Sequence, residues 1–235
     1  MESLKSYSQS IDKIAMKKYY SNISDDELYS FTKITFDLWQ TITSLIDKIK
    51  KHSHKRKIRV VDVGGGKGDI SAIGLKLGYE ILLTDIFPDF LKEAESKYPK
   101  LKGKTFLLDI FNEEQVIEFI NEQGFFDVVL CLGFVLNHTD SQKKFIKGFE
   151  NLIKLSNSYS IIVIDLMISD MYIGKPSILW SDFHHYLPSL EILTKLLNKH
   201  GLVIEAFHSI KYDYGEYKNY HYQENGARFF LLKFY

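Results

Sequence analysis

Short apolar runs alternate with helical segments from residue 58 onward, and this alternation constrains the fold more than any other feature of the chain. Four successive runs are apolar throughout, which is typical of parallel strands covered by helices on both faces. The predicted strands cover residues 58–63, 79–84, 105–108, 126–132, 160–164, 202–207 and 228–234. The predicted helices run from the first strand to about residue 77 and then cover residues 88–97, 112–121, 141–155 and 189–200. The pattern predicts an α/β domain over residues 58–235, with a doubly wound, seven-stranded and mostly parallel sheet.

The first 57 residues carry a helical pattern instead, and we expect them to form an N-terminal helical cap. Ser24 and Glu27 have the spacing of a capping box. The apolar residues that follow recur every three or four positions, as on one helix face: Phe31, Ile34, Leu38, Ile42, Leu45 and Ile49. Two later segments, residues 166–187 and 208–227, interrupt the alternation of strands and helices. Long connections at strand ends are often functional, so we interpret both segments as insertions that extend the cap.

The charge balance argues against one class of function. Thirty basic and thirty acidic residues give a formal net charge of zero, whereas a dedicated duplex-binding protein needs a basic face. One basic segment, residues 48–57, is either a solvated helix end or a patch for RNA or an anionic substrate.

Cysteine content and hydropathy narrow the class of protein further. The single cysteine, Cys131, argues against an intramolecular disulfide and a cysteine-based metal cluster, and we predict no metal site. No apolar run reaches the roughly 18–20 residues of a membrane span, and the first ten residues lack the apolar core of a signal peptide. These features predict a cytoplasmic protein with no membrane partner.

The glycine loop after the first predicted strand is a candidate ligand-binding site. Asp62 lies near the end of that strand and is followed at alternate positions by Gly64, Gly66 and Gly68. In doubly wound sheets, ligands bind beyond the carboxyl ends of the strands, where glycine lets the backbone approach a ligand closely. A dinucleotide-binding loop requires a further glycine at the position of Asp69, so the spacing disfavours a dinucleotide.

Two further carboxylates end the next two predicted strands. Asp85 follows the second strand, where a carboxylate can accept hydrogen bonds from both hydroxyls of a ribose. Asp109 follows the third strand, where a carboxylate can accept from an adenine amino group. Ile86 and Ile110 stand beside them and are candidates to enclose a flat base. Three acids at successive strand ends suit a ligand with a sugar and a cationic end, and suit a pyrophosphate poorly.

These motifs resemble those of the class I S-adenosylmethionine-dependent methyltransferase family. The resemblance covers residues 58–165 by motif and residues 188–235 by topology alone. It implies a Rossmann-like methyltransferase fold, with S-adenosylmethionine as the cofactor and S-adenosylhomocysteine as the product.

The resemblance also implies roles for the residues of the site. Asp62 and the three glycines would border the methionine and ribose of the cofactor. Asp85 would bind the ribose, and Asp109 and Ile110 would hold the adenine. Leu132 and Gly133, at the end of the fourth strand, would line the sulfonium side.

Methyl transfer needs an acceptor aligned with the S–CH₃ bond, and a base if that acceptor carries a proton. Histidine is the natural base near neutral pH. His138 follows the fourth strand and is a candidate for catalysis or substrate positioning, unless it only bonds local backbone at a helix start. His184, His185 and Tyr186 lie in the first insertion and are candidates for the same roles, or are exposed loop residues.

The second insertion contains five tyrosines within eleven residues: Tyr212, Tyr214, Tyr217, Tyr220 and Tyr222. They suit an aromatic wall or cation cage for a substrate, or a surface on which RNA bases stack. A pair of extended strands that pack tyrosines on the N-terminal helices fits the pattern equally well.

The resemblance and the neutral charge together predict a methyltransferase that acts by direct in-line displacement on an N or O atom of a small molecule. Two alternatives stay open. One is an RNA (tRNA or rRNA) methyltransferase that uses the basic segment 48–57, and the other is a non-catalytic module that binds S-adenosylmethionine. The predicted partner is therefore a small-molecule acceptor, with RNA possible, and the oligomeric state is left open.

Overall fold

A computed structural model of the protein describes residues 30–50, 57–172, 186–217 and 220–234. They form one seven-stranded sheet with helices on both faces. The strands are β1 (Arg59–Val63), β2 (Glu80–Asp85), β3 (Thr105–Leu107), β4 (Phe126–Cys131), β5 (Ser156–Leu166), β6 (Leu202–Tyr217) and β7 (Tyr220–Lys233). The helices are α1 (Ser30–Lys50), α2 (Asp69–Lys76), α3 (Pro88–Lys97), α4 (Glu113–Gln123), α5 (Gln142–Lys154) and α6 (Leu190–Lys199).

The strand order in the sheet is β3-β2-β1-β4-β5-β7-β6. The first five strands of this order are parallel, and β7 is antiparallel to both of its neighbours. The order reverses between β1 and β4, which makes the carboxyl ends of these two strands the switch point of the sheet. The prediction of a doubly wound, mostly parallel α/β sheet is confirmed.

Two hydrophobic clusters cover the two faces of the sheet. One joins strand residues to the inner sides of α4, α5 and α6, and the other joins them to α1. The predicted apolar face of α1 is confirmed where its side chains are described, at Leu38, Ile42, Leu45 and Ile49, all of which are buried. Phe31 and Ile34 are among the residues whose side chains are not described, and Ser24 and Glu27 lie outside the described residues.

An ion pair between Lys48 and Glu205 locates the end of α1 relative to the sheet. Lys48 is near the end of α1, and Glu205 is near the start of β6, which runs parallel to β5 because both are antiparallel to β7. Helix α1 therefore ends at the amino edge of the sheet. Nearer the middle of the helix, Trp39 stacks on Tyr79, which directly precedes β2, so the second half of α1 follows this edge.

The last two strands are much longer than predicted. Residues 208–227 were predicted to interrupt the sheet between them, but this prediction is wrong, because most of these residues extend β6 and β7. Backbone pairing between β6 and β7 continues from Ile210↔Gly226 to Tyr217↔Tyr220, beyond the end of β5. The predicted strands covered only the mainly apolar stretches 202–207 and 228–234. A two-stranded ladder is closed by backbone hydrogen bonds, however, and does not require apolar side chains.

None of the helices in the described part of the chain combines the length and the apolar character needed to cross a membrane. The same residues contain no group of three or more histidine, cysteine, aspartate or glutamate side chains that could hold a metal ion.

Candidate active site

The glycine loop connects the end of β1 to the start of α2, and Gly66 is its most open position. Gly66 has a φ of 55°, and a Cβ atom built there would meet no heavy atom within 4 Å. Gly64 also has a positive φ, but a Cβ there would lie 2.7 Å from Val135 Cγ2. Gly68, with φ 80°, is the N-cap of α2. The loop therefore packs on the protein at Gly64 and presents open backbone at Gly66.

Asp85 ends β2 and holds the glycine loop through its carboxylate. Its Oδ2 accepts a hydrogen bond of 2.9 Å from the Gly66 N–H, and its Oδ1 accepts one of 2.9 Å from the Phe87 N–H. The side chain is buried, and burial raises its pKa, although backbone hydrogen bonds from Phe87, Gly66 and Ile86 act in the opposite direction. A carboxylate offers about four acceptor positions, so acceptor capacity remains for a ligand hydroxyl.

Asp62 lies beneath the same loop at the end of β1 and is almost fully buried. Its Oδ2 accepts a hydrogen bond of 2.7 Å from Ser71 Oγ. A Cβ on Gly65 would lie 2.6 Å from the Asp62 carboxylate, so glycine at 65 is what makes room for it. Burial raises the pKa of Asp62 to about 6, with Ser71 lowering it and the nearby Asp85 carboxylate raising it further.

The third predicted acid, Asp109, follows β3 in a turn that leads into α4. Its Oδ1 accepts the Phe111 N–H at 3.0 Å, and its own N–H donates to Gln115 Oε1 at 3.0 Å. The two isoleucines that follow Asp85 and Asp109 differ in burial. Ile86 is half-buried, whereas Ile110 is 3% exposed and packs in the core cluster on the α4 and α5 side.

The end of β4 carries two consecutive residues with positive φ. Gly133 has a φ of 67° and open space on its Cβ side, and Phe134 has a φ of 61°. For a residue other than glycine, this conformation costs roughly 1 kcal/mol. The Phe134 ring is fully buried against Met167 and Ile210, and this packing holds the strained backbone in place. The preceding residue, Leu132, is buried on the α1 side of the sheet.

A buried ion pair that the sequence did not predict lies behind this turn. Asp165 Oδ1 accepts from Arg228 Nε at 2.7 Å, and Asp165 Oδ2 accepts from Arg228 Nη2 at 2.9 Å and from the Gly133 N–H at 3.0 Å. The signals that could have found it are a single acid inside the apolar run of β5 and one of only three arginines in the chain. Neither strand's sequence alone, however, predicts that the two residues pair.

The structure describes two of the four residues predicted to act on the acceptor, His138 and Tyr186. His184 and His185 lie outside the described residues. His138 is half-buried just after the turn that follows β4, and its N–H donates to Val135 O at 3.2 Å. Tyr186 is bound through its backbone to Asn137, and its ring centroid lies 5.5 Å from that of Phe145. Burial raises the pKa of Tyr186, which keeps its phenol protonated at neutral pH.

The carboxyl edge of the sheet thus brings together the glycine loop, the buried acids Asp62 and Asp85, and the open turn at Gly133. A comparison with protein families covers this same region: residues 61–156 match the model of a methyltransferase domain. No curated protein sequence matches the chain.

Solved structures of methyltransferases resemble this chain in fold over nearly its whole length. The N-methyltransferase NodS from Bradyrhizobium japonicum WM9 matches with a TM-score of 0.62 at 11% identity, covering 93% of this chain and 98% of its own. Magnesium protoporphyrin IX methyltransferase (ChlM) from Synechocystis PCC 6803 matches with a TM-score of 0.56 at 15% identity, covering 94% of this chain and 97% of its own. At such low identity the likeness establishes the fold.

Proposed function

We propose that the protein is an S-adenosylmethionine-dependent methyltransferase that passes the methyl group by direct in-line displacement to an N or O atom of a small molecule. One observation carries the cofactor assignment. The buried Asp85 carboxylate binds the N–H of Gly66, and Gly66 faces open space at the carboxyl edge of the sheet. A carboxylate held in this way can accept both hydroxyls of a ribose that lies against the loop.

The other residues of the site fit the remaining parts of this cofactor. Asp109 and the half-buried Ile86 would hold the adenine, and the open backbone at Gly133 would border the sulfonium. NodS was crystallised with S-adenosylhomocysteine, and ChlM with S-adenosylmethionine and with S-adenosylhomocysteine. When bound, the cofactor supplies a methyl group that is already activated by the sulfonium.

The protein's own contribution is then to orient the acceptor, with its reacting atom about 3–3.5 Å from the methyl carbon and in line with the S–CH₃ bond. His138 is the candidate base for an acceptor that carries a proton, because its pKa range allows it to take that proton near neutral pH. Tyr186 suits the role of hydrogen-bond donor, because its phenol stays protonated. Roles for His184 and His185 stay predictions.

The position of Lys48 favours a small acceptor over RNA. Lys48 begins the basic segment 48–57, and its ion pair with Glu205 lies at the amino edge, across the sheet from the site. The formal net charge of zero also gives the chain no excess of positive charge with which to bind a phosphate backbone. A small-molecule acceptor and a cytoplasmic location both stay predictions.

Two measurements test the proposal. Calorimetry with S-adenosylmethionine and S-adenosylhomocysteine should show binding of both, and the absence of binding would contradict the cofactor assignment. Methyl-labelled cofactor should then label a component of a low-molecular-weight metabolite extract. Label that appears only in a total tRNA or rRNA fraction would favour the RNA alternative, and binding without label in either fraction would favour the non-catalytic module.

A further inference from the structure

Asn137 is a fully buried amide in the short turn after β4, and it uses its hydrogen-bonding groups on two other segments of the chain. Its Nδ2 donates to Met167 O at 3.0 Å and to Tyr186 O at 2.8 Å, and its Oδ1 accepts the Met167 N–H at 3.0 Å. Its backbone carbonyl accepts the Tyr186 N–H at 3.0 Å. One residue therefore binds both backbone groups of Met167 and both of Tyr186.

These bonds join the chain after β5 to the chain before α6. Met167 is the first residue after β5, and Tyr186 lies four residues before α6. The two segments also bind each other directly: the Ser169 N–H donates to Pro188 O at 3.0 Å, and the Leu190 N–H donates to Asp170 Oδ2 at 2.7 Å. Asn137 is the point at which this pair of segments is attached to the turn after β4.

The same turn contains the part of the backbone assigned to the cofactor. Gly133 and Phe134 begin the turn, and the Phe134 ring packs on Met167 and against Leu187. A displacement of Met167 or Tyr186 would therefore move the Phe134 ring and the turn that Gly133 begins. A rigid connection of this kind matters for transfer, because an error of about 1 Å between reacting groups can cost roughly a hundredfold in rate.

We propose that Asn137 is a positioning residue for methyl transfer, which fixes the segment of Tyr186, on the acceptor side, relative to Gly133, on the cofactor side. The inference rests on the proposed function. Asn137 acts through Met167 and Tyr186 and is not itself assigned to the cofactor, so its loss should lower turnover at saturating cofactor and leave cofactor affinity nearly unchanged.

The test compares Asn137→Asp with the wild type. Aspartate has nearly the same shape and retains an acceptor for the Met167 N–H, but it turns two N–H donors into an oxygen that faces two carbonyl groups. We expect at least a tenfold loss of turnover, measured with methyl-labelled S-adenosylmethionine and the extract fraction that the wild type labels. The dissociation constant of S-adenosylhomocysteine by calorimetry should stay within about twofold. The ratio of variant to wild-type turnover should rise as the pH is lowered, because a protonated carboxyl regains one donor.

Asn157→Ala is the matched control. Asn157 is a half-buried amide at the start of β5, on the opposite edge of the sheet, and its Nδ2 donates to Asp127 Oδ1 at 2.7 Å. Its loss should lower thermal stability without lowering turnover. If Asn137→Asp does not fold at the assay temperature, Asn137→Ser replaces it, since its hydroxyl retains one donor.

The possible outcomes distinguish a failure of the positioning role of Asn137 from a failure of the proposed function. Wild-type turnover in a folded Asn137 variant would overturn the positioning role and leave the proposed function intact. A loss of turnover matched by an equal loss of cofactor affinity would also overturn it, because Asn137 would then shape the cofactor site. A wild-type protein that binds the cofactor and labels no acceptor would overturn the proposed function, and this inference with it.

Discussion

The guanidinium of Arg228 binds the carboxylate of Asp165 through Nε and Nη2, at 2.7 and 2.9 Å, in a part of the sheet that excludes water from both side chains. The pair crosses from β7 to β5, and the same carboxylate accepts the N–H of Gly133. A charge buried in this way requires its partner, because neither ion can be solvated in the interior. The pair therefore links the last strand of the sheet to the turn at the candidate active site.

Removal of one member of this pair should be far more costly than removal of both. Arg228→Met leaves the Asp165 carboxylate buried without a countercharge, and we expect a loss of about 3–5 kcal/mol in the free energy of unfolding. The double variant Asp165→Leu, Arg228→Met should be less destabilised than either single variant. Urea denaturation of the wild type, the two single variants and the double variant measures the coupling energy between Asp165 and Arg228.

Glu191→Ala is the control: this residue forms an exposed pair with Lys195 at 2.6 Å, and its loss should cost less than about 0.5 kcal/mol. Additive single effects at Asp165 and Arg228 would contradict the expectation.

Asp85→Ala should weaken the binding of S-adenosylhomocysteine at least tenfold, since about 1.4 kcal/mol is lost with even one charge-assisted hydrogen bond to the ribose. The variant also frees the Gly66 N–H, which Asp85 now binds. Calorimetry gives the dissociation constant, and circular dichroism confirms that the variant is folded. Glu80→Ala is a control on the same strand, because Glu80 starts β2 at the amino edge and pairs with Arg59. Equal affinities for the Asp85→Ala and Glu80→Ala variants would refute the ribose assignment.

Gly66→Ala and Gly103→Ala should separate backbone strain from ligand contact. Both glycines have a positive φ, 55° and 70°, and a Cβ at either position meets no heavy atom of the protein within 4 Å. Each substitution should therefore cost about 1 kcal/mol of stability. Gly103 lies in the connection before β3, away from the glycine loop, so only Gly66→Ala should also weaken cofactor binding. Thermal unfolding and calorimetry on both variants give the comparison, and unchanged affinity in Gly66→Ala would show that no ligand lies against the loop there.

The raised pKa of Asp62 should make stability fall as the pH rises from about 4 to about 6. In this window the folded protein retains a proton on Asp62 that the unfolded chain has released, so a higher pH favours unfolding. The full cost, reached above the folded pKa of about 6, is about 3 kcal/mol at most. Asp62→Asn removes this dependence, and its Oδ1 can still accept from Ser71. Urea denaturation at pH 5 and pH 7.5 should therefore show a growing advantage of the variant; parallel curves for the two proteins would contradict the assignment of this proton to Asp62.

The sequence predicted where the acids and the glycine loop lie in the fold, because the determinants of their position are local. Asp62, Asp85 and Gly66 each lie at the end of a strand that its own apolar run identifies, and parallel topology alone brings those ends together. The apolar face of α1 was predictable for the same reason, since Leu38 and Ile42 follow helical spacing.

The turn after β4 and the residues that hold it depend on distant partners instead. Arg228 pairs with Asp165, which lies 63 positions earlier in the sequence. Asn137 binds backbone groups, which every residue type carries, so the sequence does not identify its partners. The positive φ of Phe134 is maintained by packing against Ile210, from the far end of the domain. The lengths of β6 and β7 were also missed, because the ladder there consists of backbone hydrogen bonds and its sequence is not uniformly apolar.

The place of β7 in the sheet has a consequence for biosynthesis. β7 lies between β5 and β6, although it follows both in the chain, so the sheet cannot close until residues 220–233 have emerged from the ribosome. Until then the edge of β5 is open, and Asp165 has not met Arg228. The nascent chain therefore exposes a long apolar strand edge that favours pairing with other chains. When β7 pairs with β5, Arg228 neutralises the buried Asp165 carboxylate at the same step that fills the sheet.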